Sequence, residues 1–275
     1  MLVNLKEILE AAEKKESAVG AFNTPNLTSL RAVIGAAEEL QKPVILMHAQ
    51  VHEEMGLCSM EEIAPIMLSF ARRASVPVCV HLDHGTDLDY IKRGLALGFT
   101  SVMYDGSQLP EKENTQNTKE AVNMAEKTGA SVEGEIGSMG TREGGSNEDS
   151  SIYTDPTAAK NFVQATGIDA LACAFGTAHG FYKKAPRLDF DRLTQIRAQV
   201  GIPLVMHGGS GVSEQDYRKA IHCGIRKINY YTYMAGAGGA AISNKKYAQL
   251  HDALLEAEKA MREDVKRAMR IFSGL

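Results

Sequence analysis

The chain has 275 residues, 44% of them hydrophobic and 23% charged, with a formal net charge of −4. That length allows one large α/β domain or two small ones. The near-balanced charge offers no basic surface for nucleic acid or an anionic membrane, and no apolar run approaches the roughly 20 residues of a membrane span. The four cysteines (Cys58, Cys79, Cys173, Cys223) lack CxxC spacing. Cys79 and Cys173 sit inside apolar runs as small hydrophobes, a usage expected in a reducing cytoplasm.

Leu2–Glu16 reads as an amphipathic, mostly charged helix without the apolar centre of a signal peptide. Beyond it, strand-like runs alternate with longer helical patterns. The strand candidates are Ala18–Phe22, Val44–Met47, Val78–Leu82, Ser101–Tyr104, Ala130–Glu135, Ala170–Ala174, Leu204–His207 and Lys227–Tyr230. Helical periodicity covers Leu27–Leu40, Met60–Ala74, Leu88–Leu97, Glu111–Lys127, Pro156–Thr166, Asp189–Gln199 and Ser213–Cys223. Eight strands, each leading into a helix, predict an α/β fold of the (β/α)8 TIM-barrel type over residues 1–275 as one domain. The rival is a doubly wound open sheet, but no GxGxxG follows the first strand. Gly137–Tyr153 carries four glycines and no helical period, the pattern of a lid loop. A second loop, Gly176–Pro186, follows the sixth strand. Asn244–Phe272 reads as a long charged helix with an apolar stripe from Leu250 through Leu254, Ala257, Met261 and Val265 to Met269. Such a stripe closes the barrel or packs on a partner subunit.

Barrel chemistry gathers at the C-terminal strand ends. There the chain offers Asp83, His84, Glu133, Glu135, His179, His207 and Asn229. Histidines from three separate strand ends beside a carboxylate suit an open zinc-type site, whereas a closed structural site would favour cysteines. The alternative is a set of hydrogen-bonded core histidines. Neighbouring strand residues point to opposite faces, so Asp83 and His84 cannot both face the site unless the strand ends or twists there. His207-Gly208-Gly209-Ser210-Gly211 suits phosphate binding, and a tight turn needing positive φ would explain it as well.

The ordered motifs PVILM (43–47), HLDHG (81–85), YDGSQLPEKENTQNTKEAV (104–122), VEGEIGSMG (132–140), GTAHGFY (176–182), LVMHGGSG (204–211) and KIN (227–229) resemble the class II, zinc-dependent ketose-phosphate aldolases. This is the family of fructose- and tagatose-bisphosphate aldolases, and the likeness runs from Leu5 to about Phe272. The resemblance implies Zn²⁺ on His84, His179 and His207, with Glu135 at the metal or at a second metal position. It implies Asp83 as the group that exchanges the hydroxyl proton at the cleaved carbon. Glu143 on the lid would handle the carbon proton of the enediolate. Gly180, Gly208, Ser210 and Thr232 would hold the phosphate, with Asn23 and Asn229 also lining the substrate site. A monovalent cation (Na⁺ or K⁺), a sugar-phosphate substrate, a cytoplasmic setting and a homodimer or homotetramer complete what the likeness implies.

The eighth-strand motif departs from the family. Tyr231 stands where fructose enzymes carry an aspartate and tagatose enzymes a small residue. Ala235 replaces the basic residue that holds a distal phosphate. His48-Ala49 stands where a serine is common at the second position. His48 then lines the pocket, binds a carboxylate or phosphate on the aldehyde half, or merely caps a turn. Arg142, Lys183 and Lys184 could compensate for the lost charge but read more simply as solvated surface groups. Tyr231 and Tyr233 would supply an aromatic wall. The expected reaction is zinc-dependent, reversible cleavage of a ketose phosphate other than fructose 1,6-bisphosphate, giving dihydroxyacetone phosphate and an aldehyde. An orthodox bisphosphate aldolase and a non-catalytic sugar-phosphate-binding relative are the alternatives. His81 and Glu133 are expected to orient ligands, Lys227 to line the barrel, His52 to sit at the pocket rim, and His222 and His251 on the surface.

Overall fold

The structure, a computed structural model, describes residues 1–137, 153–180 and 185–274. Its strands are β1 (Leu2–Val3), β2 (Val19–Asn23), β3 (Val44–Ala49), β4 (Val78–Gly85), β5 (Ser101–Tyr104), β6 (Ser131–Ile136), β7 (Ala170–Cys173), β8 (Leu204–Met206) and β9 (Ile225–Asn229). The helices are α1 (Leu5–Glu13), α2 (Leu27–Leu40), α3 (Gln50–Glu54), α4 (Met60–Arg73), α5 (Leu88–Leu97), α6 (Glu111–Glu126), α7 (Pro156–Thr166), α8 (Phe190–Val200), α9 (Glu214–His222), α10 (Thr232–Ile242) and α11 (Leu250–Phe272).

Strands β2 to β9 pair in parallel in chain order, and β2 pairs back onto β9 through Ala21 opposite Asn229. The pairs β2–β9 and β4–β5 close the ring and exclude the open sheet. This is the expected (β/α)8 barrel. β1 lies outside the ring, extending the start of β4 through Leu2 opposite Val78.

Alternation along each strand divides the core in two. On β4, Val78, Val80 and Leu82 face outward and join the apolar faces of the surrounding helices. Inside, Val19, Ala21, Ile45, Met47, Cys79, Ala170, Ala172 and Val205 pack against Leu5, Ile8, Leu9 and Ala12 of α1. These inward residues lie low on their strands, so α1 plugs the N-terminal mouth of the barrel. Its start is set by Asn4, which accepts from the Glu7 amide while Glu7 accepts from the Asn4 amide. Asn26 and Ser59 open α2 and α4, and Asp87, Asp155 and Asp189 open α5, α7 and α8, each with a side-chain oxygen on an early helix amide.

Beyond shifts of a few residues at strand and helix ends and the unforeseen short α3, three differences from the sequence reading stand out. Leu2–Val3 is strand, so the first helix is confined to Leu5–Glu13. The last helix begins at Leu250 and not at Asn244. Its stripe also narrows: Leu250 and Leu254 are 75% and 43% exposed, while Ala257, Met261, Val265 and Met269 are buried. Finally, Thr232–Ile242 forms α10, a helix with three glycines that local propensity disfavours. It packs against α11, and that tertiary contact overrides the propensity.

Candidate active site

The C-terminal half of β4 departs from regular strand geometry. Alternation directs Cys79, His81 and Asp83 into the barrel and would direct His84 away from it. His84 instead adopts φ of 51°, in the left-handed region, and the β4–β5 register shifts between Leu82 and Gly85. That conformation costs a non-glycine residue about 1–2 kcal/mol. It also brings His84 to the same side as Asp83, where its Nδ1–H donates to Asp105 Oδ2 at 2.6 Å. Asp105 is fixed in turn by the amide and hydroxyl of Ser107, both donating to Oδ1.

Three imidazoles meet above the barrel. The His84 ring lies edge-on to His207 at 4.6 Å and to His179 at 5.1 Å, with His179 and His207 5.9 Å apart. One nitrogen from each lies within 4.8 Å of the others. His207 Nε2–H donates to Glu133 Oε1 at 2.7 Å, and Glu133 Oε2 pairs with the fully buried Lys227 ammonium at 2.9 Å. His81 sits below them, sharing a hydrogen bond with Ser101 and lying 3.7 Å from Glu133. Carboxylates therefore occupy His84 Nδ1 and His207 Nε2. The opposite nitrogens, His84 Nε2 and His207 Nδ1, are buried without hydrogen-bond partners among the described residues, as is Glu135 Oε2, 3.5 Å from His207 Nδ1. Buried unpaired acceptors around one point fit a metal ion, and neutral imidazoles held from behind by carboxylates are the donor set zinc takes. A second trio, His84, Asp105 and Glu135, also has ligand atoms within 4.8 Å of one another.

Without an ion, the three rings cannot all be charged at such distances. Burial disfavours a proton on each, but beside His84 the carboxylates of Asp83, Asp105 and Glu135 outweigh burial and push it up to about 10. Burial and the charge on His84 then push His179 down to about 3. Burial also lowers His207, partly offset by its bond to Glu133. Glu135, buried and facing Asp105, is pushed up to about 8. Asp83 behaves oppositely. Burial would raise it, but His84, Lys227 and His207 hold it well below the usual carboxylate range. Its two oxygens accept from Asn23 Nδ2 at 3.0 Å and Asn229 Nδ2 at 3.2 Å, so it is oriented as an ionised acceptor.

Beside this cluster the turn after β8 runs tight against its neighbours. Gly208 has φ of 60°, and a Cβ there would lie 2.3 Å from the Ala178 carbonyl oxygen. The Gly209 amide donates to Asn229 O at 3.0 Å, and Ser210 Oγ accepts from the Tyr231 amide at 3.1 Å. Ser210 is thus brought to the start of α10, where Thr232 is the first helical residue and Tyr231 makes no side-chain cap. Gly180, at φ of 90°, is exposed after His179.

The structure brings together Asn23, Asp83, His84, Glu135, His179, His207 and Asn229. It does not bring His48 to them. His48 shares the outward face of β3 with Val44 and Leu46, bonds through Nε2 to the Tyr90 hydroxyl, and packs near Phe99. Tyr231 is half-buried against His52, and Ala235 lies one turn into α10, a helix with no charged residue. Glu143, Arg142, Lys183 and Lys184 lie outside the described residues. Sequence reasoning assigned no role to Asp105. A carboxylate one residue past the end of β5 is the same signal that singled out Asp83, and it was available.

A parallel eight-strand barrel with imidazoles and carboxylates converging at its C-terminal strand ends defines a barrel enzyme. Residues 3–274 match the family model for fructose-bisphosphate aldolase class-II, and the chain belongs to that family. It is a carbon–carbon lyase, of a family that is generally zinc-dependent. Among solved structures, it is similar to the YdjI aldolase of Escherichia coli K12, with 35% identity, a TM-score of 0.90, and coverage of 99% of this chain and 97% of that one. A Coccidioides immitis structure assigned as a fructose-1,6-biphosphate aldolase is 29% identical, with a TM-score of 0.89 over 98% and 96% of the two chains. The Campylobacter jejuni fructose-bisphosphate aldolase, 22% identical with a TM-score of 0.81 over 98% and 95%, shares the fold.

Imidazole nitrogen NMR of the metal-free protein at neutral pH should find His84 doubly protonated and His179 neutral. A neutral His84 would contradict the electrostatic account of the cluster.

Proposed function

We propose that this enzyme reversibly cleaves a ketose phosphate other than fructose 1,6-bisphosphate into dihydroxyacetone phosphate and an aldehyde, with zinc held by His84, His179 and His207. The observation that carries this reading is a pair of nitrogens unpartnered among the described residues, His84 Nε2 and His207 Nδ1, facing His179 beside an ionised Asp83. When bound, zinc would supply Lewis-acid stabilisation of the charge left as the carbon–carbon bond breaks.

The chain's own residues divide the remaining work. Asp83, kept ionised and aimed by Asn23 and Asn229, takes the hydroxyl proton from the cleaved carbon. Glu135 adjoins the metal position, and Glu143 is assigned the carbon proton by the family likeness. Gly180, Gly208, Ser210 and Thr232 hold the phosphate at the start of α10, where Tyr231 makes no side-chain cap. Lys227, buried and paired with Glu133, is not placed as a Schiff-base lysine.

The far end of the substrate is where this chain departs from its relatives. Ala235 brings no charge, and neither does any other residue of α10. A distal phosphate there would forgo a charge-assisted contact worth about 1.5–3 kcal/mol. A ketose 1-phosphate, or a ketose phosphate with another uncharged far end, is the substrate class that fits.

Two measurements test this reading. Asp83→Ala should retain zinc and lose turnover by about 10²–10⁴-fold, while His207→Ala should lower zinc content itself. Zinc loss in Asp83→Ala, or full zinc in His207→Ala, would reassign those residues. Steady-state cleavage should favour a ketose 1-phosphate over fructose 1,6-bisphosphate by at least about tenfold in kcat/KM, the equivalent of about 1.4 kcal/mol. A preference for the bisphosphate would defeat the argument from Ala235.

A further inference from the structure

We infer that His52 is a specificity residue which, with Tyr231, recognises the hydroxyl-bearing aldehyde half of the substrate. The inference rests on the aldolase reading above and assigns a side chain to the part of the substrate which that reading left without one.

The placement of α3 decides where His52 sits. Ala49, the last residue of β3, is paired with Asp83, so α3 starts at the level of the Asp83 carboxylate. The short helix is fastened on both sides. Gln50 Oε1 accepts from the Thr86 amide at 2.9 Å, tying it to the loop just past His84. Glu53 accepts from the Tyr90 hydroxyl at 3.0 Å and the Met60 amide at 3.1 Å, tying it to α5 and α4. A side chain on such a support holds its position without the substrate's help.

His52 is 6% exposed, and its ring centre lies 4.9 Å from that of Tyr231, tilted by 53°. Tyr231 is anchored to the turn that reads as the phosphate loop, its amide donating to Ser210 Oγ. His52 therefore bridges the rim beside Asp83 and the residue that departs most from the family pattern. Its Nδ1 is buried with no hydrogen-bond partner among the described residues. Leaving such an atom unpaired is costly, and a ligand hydroxyl would recover that cost.

The chemistry of the pair defines what it accepts. Burial outweighs the attraction of Asp83 and lowers His52, so the ring is neutral near pH 7 and offers one donor and one acceptor. The Tyr231 hydroxyl, raised by burial, is likewise uncharged. The charge acting on His52 is the Asp83 carboxylate, which repels an anion. Neutral donors and acceptors beside a carboxylate suit a polyhydroxy chain and disfavour a second phosphate.

The test separates the two halves of the reaction on zinc-loaded protein. Exchange of the dihydroxyacetone phosphate carbon proton with solvent deuterium needs no aldehyde; condensation with glyceraldehyde or glyceraldehyde 3-phosphate does. His52→Ala should lower the ratio of condensation kcat/KM for glyceraldehyde to the exchange rate by about tenfold, mainly through KM, with His52→Gln restoring part of it. His52→Lys should raise preference for glyceraldehyde 3-phosphate over glyceraldehyde by at least about tenfold. Parallel loss of exchange and condensation, or an unchanged ratio in His52→Ala and unchanged preference in His52→Lys, would overturn the inference while leaving the aldolase reading intact. No exchange by the wild-type zinc protein would overturn the aldolase reading, and the inference with it.

Discussion

Glu133 and Asp105 hold the outer nitrogens of two histidines, and by doing so they determine which nitrogens are left to face each other. The His207–Glu133 bond is made entirely inside the protein, where an unpaired carboxylate would be costly, and Lys227 balances that charge from below. The His84–Asp105 bond accompanies a left-handed backbone that regular strand geometry would not supply. With both in place, the imidazole edges left without hydrogen-bond partners among the described residues converge on one point. Remove either carboxylate and the tautomer and ring orientation are no longer specified.

The barrel builds up to that point in layers. At its base, α1 seals the N-terminal mouth with Leu5, Ile8 and Leu9 against small inward residues such as Ala21, Cys79 and Ala172. One layer higher the interior becomes ionic, with Lys227 ion-paired to Glu133 and His81 3.7 Å from that carboxylate, all away from water. Above these lie Asp83, its two asparagines and the histidine trio. The apolar plug supports rigid packing beneath the charged layer, and that layer fixes the protonation of the groups above it.

Much of this was legible in the amino-acid sequence, for identifiable reasons. Ser101–Tyr104, Leu27–Leu40, Leu88–Leu97 and Pro156–Thr166 were delimited to the residue because β-branched runs, caps and prolines mark their ends. The three histidines stood out because each follows an apolar strand. What was hidden depended on tertiary structure. Thr232–Ile242 was assigned no element from sequence, since its helicity comes from packing on α11. The side taken by His84 could not be read from alternation, because one residue with positive φ reverses it. His48, in the same strand as Met47 but on the opposite face, belongs to the layer between barrel and helices.

The account thus reduces to whether these three imidazoles share one ion. X-ray absorption at the zinc edge of the loaded wild-type protein tests that directly. The account predicts an edge-normalised spectrum fitted by three imidazoles at about 2.0–2.1 Å with the rest of the shell oxygen. A shell containing sulfur at about 2.3 Å, or one with no more than a single imidazole, would contradict it.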